Sequence, residues 1–245
     1  MFFEIITLFP EYFTQFFRAG LMGKSVKNGV IRYRISNLRK YGLGKYRSVD
    51  DTPYGGGAGM LLTFPVASAA LRSIDGGALV YPTPRGRLLC SSTVKKLLKS
   101  SHVVFFCGHY EGMDERIMQV YKGEEISIGD YVLSGGEPAA AVIMDAVARH
   151  ENKFMGNCAS LQEESFMSGR LEYDQYTKPE VCDGVHAVPK VLTEGNHASI
   201  HNWQKLNSLY RTWERRSDLF KKCVFCENEQ KAITSFICTT HKVRE

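Results

Sequence analysis

The chain has 245 residues, of which 44% are hydrophobic and 23% are charged, a composition typical of a globular protein. No apolar run approaches the roughly 18 residues that a membrane span needs, and the first residues carry Glu4 without a basic flank, so no membrane partner or signal peptide is predicted. Seven scattered cysteines, an odd number, favour a reduced protein in the cytoplasm.

The first 150 residues alternate between apolar strand patterns and helical patterns. Strands are predicted at residues 2–8, 30–36, 78–81, 103–107 and 126–128, and helices at residues 10–18, 65–73, 92–99 and 138–150. This alternation predicts an α/β fold in which a mostly parallel sheet is covered by helices on both faces.

Three loops follow predicted strands and contain glycine or proline: residues 82–86, 108–112 and 129–137. Ligands of parallel sheets bind outside the carboxyl ends of the strands, where these loops are expected to meet. The third loop would expose backbone groups beside apolar side chains, which suits a flat heterocycle. A plain connection between a strand and a helix is the alternative.

Basic residues are concentrated in two stretches. Residues 12–49 contain nine Lys or Arg and no acid. The second stretch contains Lys205, Arg211, Arg215, Arg216, Lys221 and Lys222. Two separate basic surfaces favour a polyanion such as nucleic acid as the partner, with solvated faces as the alternative.

The composition changes after residue 150. Residues 155–174 are polar, and the remainder has helical spacing with many basic side chains. We therefore predict an α/β domain over residues 1–155, a linker over residues 156–173, and a small helical domain over residues 174–245.

Several familiar motifs are incomplete. Gly23-Lys24-Ser25 lacks the first glycine of a phosphate-binding loop, and the glycines at 55–59 do not fit a dinucleotide-binding pattern. Cys223, Cys226, Cys238 and His241 have a zinc-like spacing. A predicted helix of about eleven residues would hold the two halves ~16 Å apart, so no metal site is predicted and zinc remains an alternative.

Six blocks of sequence together resemble one family. They are residues 5–10, 49–57, 107–116, 127–137, 176–181 and 195–198. In this order, and nearly from end to end, the chain is similar to the bacterial tRNA (guanine-N1)-methyltransferases, which belong to the SPOUT class. The resemblance implies a deep trefoil knot at the carboxyl edge of the sheet, a rare exception to unknotted topology.

The resemblance also implies S-adenosylmethionine as the cofactor, held at the knot. The cofactor-binding positions would be Tyr81, Pro82, Thr83, Pro84, Gly86, Gly108, Tyr110, Glu111, Gly112, Ser127, Ile128, Gly129, Asp130, Tyr131, Val132, Leu133, Gly135, Gly136 and Pro138. It further suggests a requirement for Mg²⁺. His109 departs from the family, which usually has an arginine at this position.

The substrate that the resemblance implies is the guanosine directly 3′ of the tRNA anticodon, methylated at N1 when another guanosine precedes it. Because N1 carries a proton, the reaction needs a base. The family uses a linker aspartate from the other subunit of a homodimer; Glu164 stands at that position, with Glu163 as the reserve. Arg149 matches an arginine that contacts the target nucleotide, although a role at the helix end is the alternative.

Contacts to the anticodon branch are expected from Asp50, Asn196, His197, Arg215 and Arg216. An Asx-turn for Asp50 and a helix cap for Asn196 are equal alternatives. The competing functions are a knotted methyltransferase that acts on another RNA or on a ribose 2′-hydroxyl, and an RNA-binding homologue without catalysis.

Overall fold

The computed structural model describes residues 1–155, 164–166, 168–225 and 227–242. Contacts divide the chain into two compact units, Met1–Cys158 and Ala159–Glu245. Glu163 and half of the predicted linker, residues 156–163 and 167, lie outside the described residues. The predicted linker boundaries therefore stay predictions.

The first unit is built from alternating strands and helices. The strands are β1 (Phe2–Thr7), β2 (Arg32–Asn37), β3 (Asp50–Asp51), β4 (Leu61–Leu62), β5 (Ala78–Leu88), β6 (His102–Phe106) and β7 (Glu124–Ser127). The helices are α1 (Pro10–Phe16), α2 (Gly20–Lys27), α3 (Phe64–Arg72), α4 (Ser91–Leu97), α5 (Arg116–Val120) and α6 (Glu137–Ala148), with a 3₁₀ turn at Leu38–Tyr41.

Five strands form a sheet in the order β2-β1-β6-β5-β7, and every neighbouring pair is parallel. The two-residue strands β3 and β4 pair antiparallel outside this sheet. Because parallel strands need crossover connections, the helices between them must return across the sheet.

Both faces of the sheet are covered. On one face, Phe3 and Ile5 of β1 pack in a core with residues of α1, α2, α4 and α6. On the other face, Ile6 packs in a second core with residues of α3 and α5. Side chains of a strand alternate between faces, so one strand serves both cores. The predicted α/β architecture is confirmed, while the trefoil knot stays a prediction.

Strand β5 is longer than predicted. Pro82 and Arg87 both pair with Ile126 of β7, so the segment between them leaves the ladder and rejoins it. Gly86 lies on the backbone of β7, where an added Cβ would be 2.4 Å from the carbonyl carbon of Glu125. Proline and glycine usually end strands, which is why the sequence predicted an end at residue 81.

The second unit is mainly helical. It contains β8 (Val181–Cys182), β9 (His186–Ala187), a 3₁₀ turn at Lys190–Leu192, and the helices α7 (His197–Arg215), α8 (Ser217–Phe220) and α9 (Glu227–Lys242). Leu209, Tyr210 and Ile233 form its core, which confirms the predicted helical C-terminal region.

Helix α9 contains the residues that separate Cys226 from Cys238 in the zinc-like spacing. Among the described residues, no three His, Cys, Asp or Glu side chains are grouped to hold a metal ion, and Cys226 lies outside those residues. Within the same part of the chain, no helix is long and apolar enough to cross a membrane.

Candidate ligand site at the strand ends

A cavity of about 400 Å³ lies in the first unit at the carboxyl ends of β6 and β7, beside the excursion of β5. Residues from all three predicted loops line it together. These include Pro82 and Pro84 from the first loop, Gly108 from the second and Tyr131 from the third. The parallel sheet explains this convergence, because its strands present their carboxyl ends at one edge.

Most of the predicted cofactor positions line this cavity. They are Pro82, Thr83, Pro84, Gly108, Tyr110, Glu111, Gly112, Ser127, Ile128, Gly129, Tyr131, Val132, Leu133, Gly135 and Gly136. The predicted positions Tyr81, Gly86, Asp130 and Pro138 lie outside the lining. Tyr81 is fully buried, and its hydroxyl donates a hydrogen bond of 2.7 Å to the carbonyl of Tyr121.

The turn at Gly135 and Gly136 brings two of the loops into backbone contact. The N–H of Gly136 donates to the carbonyl of Gly108 at 2.8 Å. A Cβ at Gly136 would lie 3.1 Å from the Cα of Cys107. A Cβ at Gly135 would lie 2.5 Å from Oε2 of Glu137 and 2.7 Å from Nδ1 of His109. A side chain at Gly135 would therefore displace groups at the cavity wall.

His109 contributes a buried polar atom to the cavity wall. Its Nδ1 is buried, and no hydrogen-bond partner is found for it among the described residues. The ring packs against Phe9 with 4.9 Å between centroids. Because buried polar groups are nearly always paired, this nitrogen can take a hydrogen bond from a ligand or a water molecule.

The end of the glycine-rich segment at 55–59 contacts the second loop at Gly59. An added Cβ at Gly59 would be 2.2 Å from Cγ of Glu111. The N–H of Glu111 donates to the carbonyl of Met60 at 3.1 Å, and the N–H of Leu62 donates to Gly112 at 3.0 Å. The sequence signalled this segment through its dense glycines, but its contact with Glu111 depends on tertiary structure.

Charged groups at the cavity differ in how they are neutralised. Arg85 lies 3.0 Å from Glu115 and 4.0 Å from Glu125. Glu111 forms no salt bridge with any described residue. This carboxylate is thus available to a cationic ligand. The lining also contains residues that the sequence patterns did not indicate, including Leu61, Arg85, Met113, Glu115, Met118 and Ala139.

Buried hydrogen bonds fix the start of α6 behind the cavity. Thr7 donates from Oγ1 to Oε1 of Glu137 at 2.7 Å, and the N–H of Phe9 donates to the same hydroxyl at 2.9 Å. Both Thr7 and Glu137 are buried. Burial, reinforced by the charge of Glu137, raises the pKa of the neighbouring Cys107 thiol well above its usual range. Cys107 is therefore a packing residue rather than a nucleophile.

Tyr110 connects the cavity to Asp50. Burial raises the pKa of the Tyr110 hydroxyl, the nearby Asp50 raises it further, and Arg39 opposes this effect. Tyr110 also adopts a left-handed backbone conformation with φ of 62°, a strained geometry for a residue with a side chain. The structure thus places the predicted RNA contact Asp50 beside a residue that lines the cavity.

The other predicted site residues occupy defined positions in the two units. Arg149 is the C-terminal cap residue of α6, and Glu164 belongs to the second unit. Asn196 caps α7, because its side chain accepts a hydrogen bond of 3.2 Å from the N–H of Ser199. His197 is the exposed first residue of that helix. Their functional roles stay predictions.

Arg215 and Arg216 lie at the end of α7 and next to acids. Arg216 donates two hydrogen bonds to Asp218, at 2.9 and 2.8 Å, and its guanidinium lies over the ring of Phe166. Arg215 lies 3.6 Å from Glu214. A guanidinium held by a carboxylate offers less positive charge to RNA, so the proposed phosphate contact by Arg216 would compete with Asp218.

The first unit defines a parallel α/β protein with a glycine-framed ligand cavity at its strand ends. The family model described as tRNA (Guanine-1)-methyltransferase TrmD matches residues 1–222. The chain therefore belongs to this family.

Three similar proteins match over nearly their whole length. One from Photobacterium profundum, named tRNA (guanine-N(1)-)-methyltransferase, is 43% identical over 238 residues, covering 95% of each chain. A protein of the same name from Clostridium novyi is 40% identical, covering 94% of this chain and 95% of its own. One from Synechococcus is 40% identical over 98% of this chain and 96% of its own.

Proposed function

We propose that the protein transfers a methyl group from S-adenosylmethionine to N1 of the guanosine immediately 3′ of the tRNA anticodon. The observation that carries this proposal is the meeting of three distant loops around one cavity in a chain that belongs to the TrmD family. The relatives named tRNA (guanine-N(1)-)-methyltransferase support the same reaction.

The cavity residues fit S-adenosylmethionine. Ser127 to Leu133 offer backbone groups beside apolar side chains, which suit the adenine ring. The carboxylate of Glu111 favours a positive sulfonium or amino group, and Nδ1 of His109 can take a hydrogen bond. Gly108 and Gly135 leave space that a Cβ would fill. When bound, S-adenosylmethionine supplies a methyl group that its sulfonium charge activates.

Glu164 acts as the base in this proposal. The N1 of guanine is protonated at neutral pH, and a carboxylate can accept this proton as the nitrogen becomes nucleophilic. Glutamate has the same chemistry as the family's aspartate on a side chain one methylene longer. Arg149 stabilises the negative charge that develops on O6 of the guanine.

The protein acts as a homodimer in this proposal, with a composite site. The cavity is formed by the first unit alone, whereas Glu164 belongs to the second unit. We propose that the second unit of the partner subunit supplies Glu164. In this proposal the protein binds the anticodon branch of tRNA and acts in the cytoplasm. A requirement for Mg²⁺ stays a prediction from the resemblance.

Replacement of Glu164 by glutamine tests this function. Loss of the base should lower turnover by about 10²- to 10⁴-fold, measured as methyl transfer to a tRNA transcript. Affinity for S-adenosylmethionine, measured by calorimetry, should stay unchanged because Glu164 is not among the cavity residues. Glu194→Gln, in an exposed residue of the second unit, removes the same charge and should leave turnover near normal.

Near-normal turnover of Glu164→Gln would show that another group takes the proton. The glutamate in place of aspartate favours one competing function, an RNA-binding homologue without catalysis. Wild-type protein that binds S-adenosylmethionine and tRNA, yet transfers no methyl group, would establish that alternative.

A further inference from the structure

A second cavity, of about 290 Å³, lies within the helical unit. Its described lining includes three cations, Arg170, Lys205 and Lys222, and three apolar residues, Leu209, Leu219 and Phe225. No acidic residue belongs to that described lining. This volume is close to the lower end of the range for small-molecule sites, so it suits one small group rather than a length of duplex.

Two cations of this cavity, Arg170 and Lys222, differ from Arg211 and Arg216 in their salt bridges. Arg211 is held by Asp174 and Glu214, and Arg216 by Asp218. Neither Arg170 nor Lys222 forms a salt bridge with an acid in the part of the chain that the structure describes. Their charge is therefore available to an anion, and the concave wall concentrates it.

The apolar side of the cavity is part of the unit's core. Leu209 is buried in the core cluster, and Phe225 packs against it from the side. The ring of Phe225 lies 5.3 Å from the ring of Phe220, which holds it in place. Residues 223–225 lie between α8 and α9 and form one wall. A flat base can pack against such a surface without sequence selection.

We propose that this cavity binds one unstacked nucleotide of RNA. Arg170 and Lys222 contact its phosphate, while the base packs against Leu219 and Phe225. The inference rests on the proposed function, because that function makes RNA the partner. A free mononucleotide has the same chemistry, but the second basic stretch, which contributes Lys205 and Lys222 to the lining, favours a longer polyanion.

Substitution of Lys222 tests this binding site. Loss of one charged contact should weaken binding of a tRNA transcript about tenfold, measured by fluorescence anisotropy. The plot of log affinity against log salt concentration should become less steep, with the magnitude of its slope reduced by about one. Lys222→Arg should retain most of the binding, and thermal melting should show that each variant is folded. Lys231→Ala removes an equal charge from an exposed position outside the cavity lining.

Equal effects of Lys222→Ala and Lys231→Ala would overturn the proposal, because the loss would then reflect net charge alone. The affinity for S-adenosylmethionine should be the same in all variants. Wild-type protein that binds tRNA with this dependence on Lys222, yet transfers no methyl group, would contradict the proposed function and leave the RNA site supported.

Alkylation of Cys223 provides an independent test, because this half-buried thiol lines the cavity. A tRNA transcript should slow its reaction with iodoacetamide at least fivefold, measured by mass spectrometry. Cys90, which belongs to the first unit and lies outside both cavity linings, is the reference thiol. Protection by guanosine monophosphate but not by tRNA would contradict the RNA assignment, as would bound tRNA without protection.

Discussion

Gly135 leaves a gap between two polar side chains at the cavity wall. Its missing Cβ would meet both Glu137 and His109 at less than 3 Å. Gly135→Ala should weaken binding of S-adenosylmethionine and Gly135→Val should weaken it further, by tenfold or more, because each added carbon displaces a wall group or the ligand. Calorimetry measures both. Unchanged affinity in the valine variant would remove this loop from the proposed cofactor site.

Cys90 has a thiol that is more acidic than that of an ordinary cysteine. Hydrogen bonds from the hydroxyls of Ser92 and Thr93 lower its pKa to about 7. Since the thiolate is the reactive form, alkylation of Cys90 should reach half its maximal rate near that pH. Ser92→Ala should move the midpoint up, toward about 8.5. A wild-type midpoint already near that higher value would contradict the geometry.

Individual residues were predictable to different degrees. Gly108, Gly135 and Gly136 could be named because glycine in a loop after a strand indicates a tight turn or close contact. Arg85 and Met118 could not be named as site residues from the sequence, because they come from different segments and meet only in the folded unit. For Asn196 the sequence allowed two roles, a helix cap and an RNA contact. The structure shows that it caps the helix.

Helix α7 fixes the segment that follows Glu164. Asn207, Ser208, Arg211 and Thr212 all hydrogen-bond with residues 171–174, as expected for side chains on one helix face. The N–H of Glu172 in turn donates to the hydroxyl of Ser165 at 3.1 Å. The helix therefore supports the turn that carries the proposed base.

The pair of Asp174 and Arg211 should stabilise the helical unit in a pH-dependent way. Burial alone would raise the pKa of Asp174, but hydrogen bonds from Arg211 and Asn207 lower it below its usual value. Asp174→Asn should reduce the free energy of unfolding by about 2 kcal/mol at pH 7. Chemical denaturation of both proteins measures this difference.

The pH dependence has a defined sign. A carboxyl group with a lowered folded pKa stabilises above its unfolded pKa, near 3.9, and loses that contribution as pH falls through the folded value. The difference between wild type and Asp174→Asn should therefore shrink as the pH is lowered from 5 toward 3. A constant difference across this range would contradict the ion pair.

Elements with a clear apolar pattern were predicted well. Strands β1 and β6 consist mainly of apolar residues, and their bounds differ from the prediction by about a residue. Strand β5 was predicted too short because two prolines and a glycine interrupt it. Helix α2 was missed because it has two glycines in eight residues, which lower its helix propensity.

The whole molecule divides its chemistry between two units. The proposed cofactor cavity belongs to the first unit, and the proposed base and the second cavity belong to the other. The alternation of elements was enough to predict the fold of the first unit. The knot and the homodimer depend on chain threading and on a second copy, which local sequence patterns do not encode.

A composite site can be tested by mixing two inactive variants. Gly135→Val impairs the cavity and Glu164→Gln removes the base, so either homodimer should have little activity when S-adenosylmethionine is kept below the dissociation constant of the Gly135→Val cavity. In a mixed dimer, one site combines an intact cavity with an intact Glu164, and random mixing should restore about a quarter of wild-type activity. No recovery in purified mixed dimers would mean that each subunit supplies its own base.

The most direct test of the central claim is methyl transfer to matched tRNA transcripts, followed by analysis of the modified nucleoside. We expect N1-methylguanosine at the position 3′ of the anticodon when a guanosine precedes it. The yield should be much lower when that preceding guanosine is replaced. Ribose-methylated guanosine, or methylation at another position in the RNA, would contradict the account.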